Sequence, residues 1–416
     1  MEVIGIRVIA DFPAAVMALA FIGGGIVLGT VSGLIPGLHV NTVAVVMASV
    51  APSVPAPPHL VGASMLAAGV THSFLDIVPT LAIGVPDAAM AVTALPGHRL
   101  VMGGRGREAL RISALGSGSA IAAAAIFGIP VTLLMRSLVT AFEGAIPFFV
   151  AGIAAFLVAT ERGRRSTMGG LVSLLASGLL GVAFLDVTTD GFAPGGDTLL
   201  PLLSGLFGIP ILVHAYGGAG VPSQGSGLVV NSPASTLGWG VVGALSGALV
   251  AYLPGVSAAV AAALSFSILP VTSGDRSFVA TVSGVNTSNT VFALFAYVSM
   301  GTPRTGVLVA VERARLPVNL PLVLVAIVVA AAVAFVLVPV LGDRYLAVVG
   351  TVDPRRLSLG VAGLLSLLVF AFTGWIGVGI LLVASLVGLV PVRFAARRVH
   401  LMGVLLVPIA LRGLTS

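Results

Sequence analysis

The chain has 416 residues, of which 58% are hydrophobic and only 8% are charged. A soluble protein of this length needs a polar surface and typically has about 25% charged residues. The composition therefore excludes an ordinary soluble protein and predicts a multi-pass protein of the cell membrane. Because there is no cysteine, disulfides, thiolate metal sites and a cysteine nucleophile are excluded as well.

Apolar runs follow one another from end to end, and the first covers about 13–31. That run is too long for the core of a signal peptide. Several later runs are shorter than the roughly 20 residues of a full crossing, which is typical of half-helices. We expect an all-α polytopic membrane protein with about 10–12 transmembrane segments. The net charge of +6 comes from arginines in short breaks between the runs, so it indicates membrane-flanking charge and no nucleic-acid partner.

The largest polar break is rich in Gly, Ser and Pro and covers residues 215–236, near the chain midpoint. We interpret it as a linker between a first membrane repeat, 1–214, and a second, 237–416. Residues 23–52 align without a gap with residues 241–270, at an offset of 218. The matches fall on glycines and prolines that set backbone structure, which favours an internal duplication.

Small residues spaced four apart form a smooth stripe on one helix face in each half. The stripes are Gly25, Gly29, Gly33 and Gly37 in the first half, and Gly243, Gly247, Ala251 and Gly255 in the second. Each stripe ends in a Pro-Gly pair, at Pro36–Gly37 and Pro254–Gly255. Proline lacks an amide donor and glycine tolerates unusual dihedrals, so we expect both helices to break there.

A second pair of breaks follows, in which Gly84 and Pro86 correspond to Gly301 and Pro303 at an offset of 217. Matching halves with Gly/Pro-broken helices are typical of secondary transporters, whose broken helices meet near the membrane midplane. We therefore expect two pseudo-symmetric, inverted repeats with these breaks around the substrate. The positive-inside rule does not decide the inversion, because the corresponding loops are both rich in arginine.

Polar residues inside apolar runs are functional candidates in a membrane protein. His39, Asn41 and Thr42 follow the first break, whereas the corresponding second-half segment has Ser257. We predict that these four residues contact the substrate. The alternative is that His39 lies at a membrane surface and caps the backbone.

His72, Ser73 and Asp76 form a polar cluster at the start of an apolar stretch. His72 and Asp76 are four residues apart, so a helix places them on one face. The pair can relay a proton, or Asp76 can help to hold Na⁺. We predict an ion-coupling role for this cluster and for Asp87; the alternative is a hydrogen-bonded pair that fixes two helices.

Asn286, Thr287, Ser288, Asn289 and Thr290 are five consecutive uncharged polar residues. Their groups can donate to carboxylate or phosphate oxygens and can accept an alkali cation. We therefore predict that this run contacts the substrate. The alternative is a surface loop.

Arg304 follows Pro303 as Asp87 follows Pro86. Because a guanidinium group matches carboxylate and phosphate oxygens, Arg304 is the predicted positive charge near an anionic substrate. Gly301 and Thr302 belong to the same predicted site. The alternative is that the two charges flank membrane ends.

Two segments resemble a known family. They are GLIPGLHVNT at 33–42 and FLDIVPTLAIGVPD at 74–87, the latter followed by ALPGHRL at 94–100 and GRGREAL at 104–110. The sequence is similar to the TctA family, the large membrane subunit of tripartite tricarboxylate transporters, and especially to its stand-alone archaeal branch. The resemblance implies a duplicated permease. Bacterial members take up citrate-like carboxylates by an ion gradient, with a small membrane subunit and an extracytoplasmic solute-binding protein.

Together these features predict a secondary-active transporter of a small organic anion, such as a carboxylate, coupled to Na⁺ or H⁺ and without a cofactor. Two alternatives stay open. The PGVS segment at 254–257 resembles a polyprenyl-phosphate transporter family, which favours a flippase for an anionic lipid; an intramembrane enzyme would use His39, His72 and Asp76. The tripartite partners and a homodimer are further open predictions.

Overall fold

The computed structural model describes the chain over most of its length. The described residues are 2–3, 6–7, 11–36, 38, 40–84, 94–193, 198–217, 220–253, 258, 261 and 274–415.

Within those ranges the chain is mainly helical. In chain order the helices are α1 Phe12–Leu34, α2 Val40–Val50, α3 Pro58–Leu75, α4 Ile77–Ile83, α5 Ala94–Met102, α6 Gly106–Phe142, α7 Ile146–Ala159, α8 Arg164–Phe184, α9 Leu199–Leu203, α10 Ile209–Ala215, α11 Pro233–Tyr252, α12 Gly274–Met300, α13 Gly306–Arg313, α14 Leu320–Thr351, α15 Pro354–Gly388, α16 Val390–Phe394 and α17 Gly403–Thr415. Short 3-10 segments cover Ala51–Ser53, Glu143–Ala145 and Arg398–Met402, and a π segment covers Ser204–Gly208. Near the N-terminus, the two-residue strands β1 (Glu2–Val3) and β2 (Ile6–Arg7) pair in antiparallel fashion.

Seven segments among the described residues are long and apolar enough to cross a membrane. They are Phe12–Leu34, Pro58–Ile83, Gly106–Val139, Arg164–Phe184, Pro233–Tyr252, Leu320–Thr351 and Pro354–Phe394. Shorter apolar helices accompany them, and the whole forms an all-α polytopic membrane protein, as predicted. The expected total of about 10–12 crossings stays a prediction, because shorter helices can add to the seven.

The segment Pro58–Ile83, which contains α3 and α4, is the centre of the fold. Its apolar window is completely buried, whereas most of the window of α1 faces outward. α1, α12 and α14 pack against α3, and α6 packs against α12. Since the apolar outer faces of the other spans meet lipid, α3 and α4 are the helices whose polar side chains are best shielded from it.

The glycine stripe of α1 packs directly on the backbone of α3. A Cβ atom at Gly25 would overlap the carbonyl oxygen of Ser64, and one at Gly29 would overlap that of Ala68. Gly33 is also buried in this contact. The predicted close approach of a second helix to this stripe is therefore confirmed.

α11 packs on α12 in the same way. A Cβ atom at Gly243 would overlap the carbonyl oxygen of Thr281, and one at Gly247 would lie 2.9 Å from that of Val285. Val285 corresponds to Ala68 at an offset of 217. Equivalent glycines in the two halves thus contact equivalent positions on the partner helix.

Equivalent helices also end in equivalent conformations. α1 and α11 each run into an extended residue, Ile35 with φ −83° and ψ 116°, and Leu253 with φ −90° and ψ 118°. α4 and α12 each end at a glycine with positive φ, Gly84 at 72° and Gly301 at 68°. The left-handed backbone conformation favours glycine, because glycine has no Cβ atom. Both helices therefore end at a glycine for the same reason.

The close α1–α3 contact makes a testable prediction about stability. Gly25→Ala is expected to destabilise the protein by about 1–3 kcal/mol, because the added methyl group forces α1 away from the Ser64 carbonyl. Gly24→Ala on the same helix is the matched control, since its methyl group would have no atom within 4 Å. The measurement is the melting temperature of the purified protein in detergent; equal melting temperatures would contradict the packing.

The predicted linker is packed against the first half. Gln224 Oε1 accepts a hydrogen bond from the Gly106 backbone N–H at 2.7 Å, and its Nε2 donates to the Val101 carbonyl at 3.1 Å. The Val230 backbone N–H donates to Glu108 at 3.1 Å. Residues 220–230 therefore pack against the end of α5 and the start of α6. The division of the chain into two repeats stays a prediction.

Glu108 is a buried carboxylate with two arginine partners. Its side chain is 1% exposed, and it lies 2.8 Å from Arg276 Nε and 2.7 Å from Arg105 Nε. Glu108 is in the first turn of α6 and Arg276 in the first turn of α12, so the ion pair joins the two halves of the chain at one end of the bundle.

Glu108→Gln is expected to destabilise the protein by about 3 kcal/mol. Removing one partner of a buried ion pair leaves the opposite charges poorly compensated. Glu312→Gln, which removes an exposed carboxylate from α13, is the control. Chemical unfolding of both variants measures the difference, and a Glu108→Gln protein as stable as the control would show that the ion pair is not structural.

Candidate functional site

Asp76 lies at the junction of α3 and α4 in the buried centre of the fold, and it is 3% exposed. Its backbone keeps helical dihedrals, with φ −59° and ψ −21°. The Asp76 backbone N–H donates to the His72 carbonyl at 2.9 Å, which continues the helical bonding of α3, and Thr80 Oγ1 donates to the Asp76 carbonyl at 2.8 Å. This segment therefore holds an ionisable carboxyl group inside the protein, within a stretch long and apolar enough to cross a membrane.

The Asp76 carboxylate is bound by a side chain from the other half of the chain. Asn286 Nδ2 donates to Asp76 Oδ2 at 2.7 Å and to the Ser73 carbonyl oxygen at 3.1 Å. Asn286 lies near the middle of α12, and it is 8% exposed. One amide group thus joins the α3–α4 segment of the first half to the polar run of the second.

His72 contacts α1 from the same end of α3. It is 1% exposed, and its Nδ1 lies 2.9 Å from Ser32 Oγ. Ser32 Oγ also lies 3.2 Å from the Gly29 carbonyl oxygen. His72 and Asp76 are therefore buried one helical turn apart, and their side chains contact α1 and α12 respectively.

The polar run of α12 lies inside the protein. Thr287 and Ser288 are completely buried, and Asn286 and Thr290 are 8% exposed. The surface-loop alternative is therefore wrong. Thr287 and Ser288 donate to carbonyl groups of their own helix, at 2.9 Å to Ser283 and 2.6 Å to Gly284. This local bonding lets hydroxyl oxygens sit in an apolar core, where an unpaired polar group would be costly.

The polar contacts continue from α12 to α6. Ser113 Oγ lies 2.8 Å from Ser283 Oγ, and Ser117 Oγ donates to the Ser283 carbonyl at 3.3 Å. These serines, like Ser32, were not predicted as site residues. Ser113 and Ser117 are spaced four apart, and that spacing in an apolar helix is the signal that could have identified them.

Two further buried oxygens have no hydrogen-bond partner among the described residues. They are Thr71 Oγ1 on α3 and Asn289 Oδ1 on α12. At the offset of 217 that the glycine contacts give, Thr71 corresponds to Ser288, and Asn289 is the next residue. Because buried polar atoms are normally satisfied, both atoms are candidates for contact with a ligand or an ion.

The residues from Gly301 to Arg304 lie away from the Asp76 cluster. α12 is continuous to Met300, so Gly301 is 15 residues from Asn286, or roughly 22 Å along the axis at 1.5 Å per residue. Thr302 is exposed, and Pro303 and Arg304 are partly buried. The structure therefore does not bring this predicted group together with Asp76, and a substrate role for it stays a prediction.

The other predicted residues divide into two groups. Pro36 is buried at the end of α1, Gly84 ends α4, and Asn41 and Thr42 lie in the first turn of α2. The residues outside the described ranges are Gly37, His39, Pro86, Asp87, Pro254, Gly255 and Ser257. Within the described ranges, no three His, Asp or Glu side chains lie close enough together to hold a metal ion.

Similarity to known proteins extends over most of the chain. The family described as "Tripartite tricarboxylate transporter TctA family" matches residues 19–403. An uncharacterized protein of Methanocaldococcus jannaschii is 26% identical over 400 residues, which covers 92% of this chain and 96% of that protein. No solved structure matches the chain. The cluster around Asp76 and Asn286 lies inside the matched range.

Proposed function

Since the chain belongs to the tripartite tricarboxylate transporter TctA family, we propose that it carries a small organic carboxylate across the membrane, coupled to Na⁺ or H⁺. The family comprises membrane transport proteins and not enzymes, so the intramembrane-enzyme alternative is set aside. The chain is a multi-pass integral membrane protein.

The observation that carries the proposal is the buried Asp76–Asn286 contact at the junction of α3 and α4. An ionised carboxylate at membrane depth is costly unless a cation or a hydrogen-bond donor compensates it. Binding of H⁺ or Na⁺ to Asp76 removes much of that cost. A change in the charge of Asp76 acts directly on Asn286, because the Asn286 amide nitrogen lies 2.7 Å from the carboxylate. Cation binding in one half is thus linked to the position of a helix in the other.

Thr71 and Asn289 support the same proposal. Each places an oxygen in the core that has no hydrogen-bond partner among the described residues. Side-chain oxygens of this kind can bind an alkali cation or accept from a substrate hydroxyl group. The amide of Asn289 and the hydroxyl group of Thr290 are uncharged donors of the same run, and they can donate to a carboxylate without the desolvation cost of a fixed positive charge.

We also propose that the transporter consists of two inverted repeats. The equivalent glycine contacts of α1 with α3 and of α11 with α12 support the duplication. The equivalent ends of α4 and α12 support it too. Transporters with inverted repeats alternate between two states that exchange the roles of their halves, so a contact that bridges the halves, such as Asp76–Asn286, suits the mechanism.

The tripartite family implies a solute-binding protein and a small membrane subunit as partners. We propose that this chain works with components of those two kinds. Co-purification with a small, hydrophobic chain from membranes of the source organism tests this directly.

The function itself is tested by uptake into proteoliposomes. Purified protein is reconstituted and supplied with labelled citrate or succinate under an imposed Na⁺ or H⁺ gradient. We expect uptake that requires one of the gradients and stops when an ionophore dissipates it. If no carboxylate accumulates under either gradient, with or without added periplasmic-type binding protein, the proposal is overturned.

One observation favours the lipid-flippase alternative. An apolar crevice of about 480 Å³ lies between α1, α2 and α3, and it is lined by Phe21, Leu28, Met47 and Val61 among others. A prenyl or acyl chain fits such a lining. The same proteoliposomes test it with a fluorescent prenyl phosphate, whose transfer between leaflets would identify a flippase.

A further inference from the structure

A second cavity lies at the end of α4 and is distinct from the Asp76 cluster. Its volume is about 270 Å³, and its lining includes Gly84. The ends of α5 and α10, the turn between α14 and α15, and the 3-10 segment Arg398–Met402 enclose it. Because α14 and α15 are membrane spans and their turn lines the cavity, it lies at one surface end of the bundle.

Three side chains that carry or can carry positive charge line this cavity. They are His98, His214 and Arg398. None of the described residues that line it is acidic; Ser358 adds a hydroxyl group. An apolar cavity lined by basic groups, with no carboxylate among the described lining residues, is suited to an anion.

Two of these groups, His98 and Arg398, have hydrogen bonding that suits them to bind a ligand. His98 Nδ1 donates to the Leu81 carbonyl oxygen at 2.8 Å, which fixes the orientation of the ring. Arg398 Nη1 is buried and has no hydrogen-bond partner in the described part of the chain. A carboxylate oxygen would provide the partner that this guanidinium nitrogen lacks.

We propose that this cavity is an anion-binding site for a di- or tricarboxylate, held by Arg398, His98 and His214. This inference rests on the proposed transport function and adds a place where the substrate binds at one end of its path. Gly84 is eight residues beyond Asp76, or roughly 12 Å along α4, so an anion in the cavity lies at the far end of the same short helix. The volume is near the lower end of the roughly 300–1,000 Å³ of small-molecule sites, which suits a small acid better than a tailed lipid.

The test measures citrate binding to the purified full-length protein by calorimetry. Arg398→Gln is expected to raise the dissociation constant about tenfold or more, because it removes a charge-assisted hydrogen bond. His98→Gln and His214→Gln are expected to weaken binding less, and Arg398→Lys to restore part of it. Arg356→Gln, which removes an exposed arginine from the first turn of α15, is the matched control and should bind as the unmodified protein does. Melting temperatures without ligand show whether each variant is folded.

The outcomes separate this site from the proposed function. If citrate is transported and bound, and none of the three folded cavity variants changes its affinity, the cavity is not the site and the transport function stands. If the unmodified protein binds inorganic phosphate or a prenyl phosphate through Arg398 but binds no carboxylate, the inference of a carboxylate site is overturned, and the uptake measurement decides the transport function separately. If citrate binding is as sensitive to Arg356→Gln as to Arg398→Gln, only general charge is involved and the inference fails.

Discussion

Asp76→Asn is expected to reduce gradient-driven carboxylate uptake on the order of 10- to 100-fold while leaving the protein folded. Asparagine has nearly the same size and keeps an oxygen that can accept from Asn286. The substitution therefore removes the charge and little else. A coupling cation bound by this carboxylate would lose a charge-assisted interaction of about 1.5–3 kcal/mol, which corresponds to that range.

The measurement separates coupling from binding. Uptake under an imposed gradient should fall, whereas exchange of labelled for unlabelled substrate at equal concentrations should be affected much less. Asp11→Asn is the control, because Asp11 is an exposed N-cap of α1 and asparagine caps helices equally well. Full gradient-driven uptake by the Asp76→Asn protein would remove Asp76 from ion coupling and return it to a structural role.

Asp76 could be predicted from the sequence because ionisable residues are scarce in this chain. With 14 acidic residues in all, a carboxylate between two apolar runs stands out. Its partner could not be assigned in the same way. The chain carries Asn286 210 residues away, and only the packing of α12 beside α3 brings the amide to 2.7 Å. The sequence therefore predicted Asp76 and Asn286 as separate site residues, but it did not predict the hydrogen bond between them.

The glycine stripes were predictable for a similar reason. A spacing of four is a local property of a helix, and the absence of side chains on one face permits close approach wherever the partner lies. The identity of the partner helix is not local. Ser32 shows the limit: it is one of many serines in apolar segments, and its contact with His72 depends on how α1 crosses α3.

The sequence alone could not show that the cavity residues lie together in the fold. His98, His214 and Arg398 come from three distant parts of the chain, and each is flanked by ordinary helix-end residues. Arg304 shows a second limit of sequence reasoning. The repeat placed Gly301 beside the site by analogy with Gly84, but the uninterrupted length of α12 separates it from Asn286. Equivalent positions in a duplication are therefore not neighbours unless the helices between them bring them together.

Two thiols placed in the first turns of corresponding helices are expected to face opposite sides of the membrane. The chain has no cysteine, so Ala14→Cys and Ala234→Cys each introduce a single reactive group. Both alanines are exposed and lie in the first turn of equivalent helices, α1 and α11. Inverted repeats orient those two helices in opposite directions, whereas parallel repeats orient them alike.

A membrane-impermeant maleimide distinguishes the two arrangements in sealed vesicles of one orientation. We expect one variant to be labelled at once and the other only after the membrane is permeabilised. Full labelling of both after permeabilisation is the control for reactivity. If both thiols react from the same side, the repeats are parallel and the inversion is overturned. The Asp76–Asn286 contact joins the two halves in either arrangement, so ion coupling through Asp76 does not depend on this result.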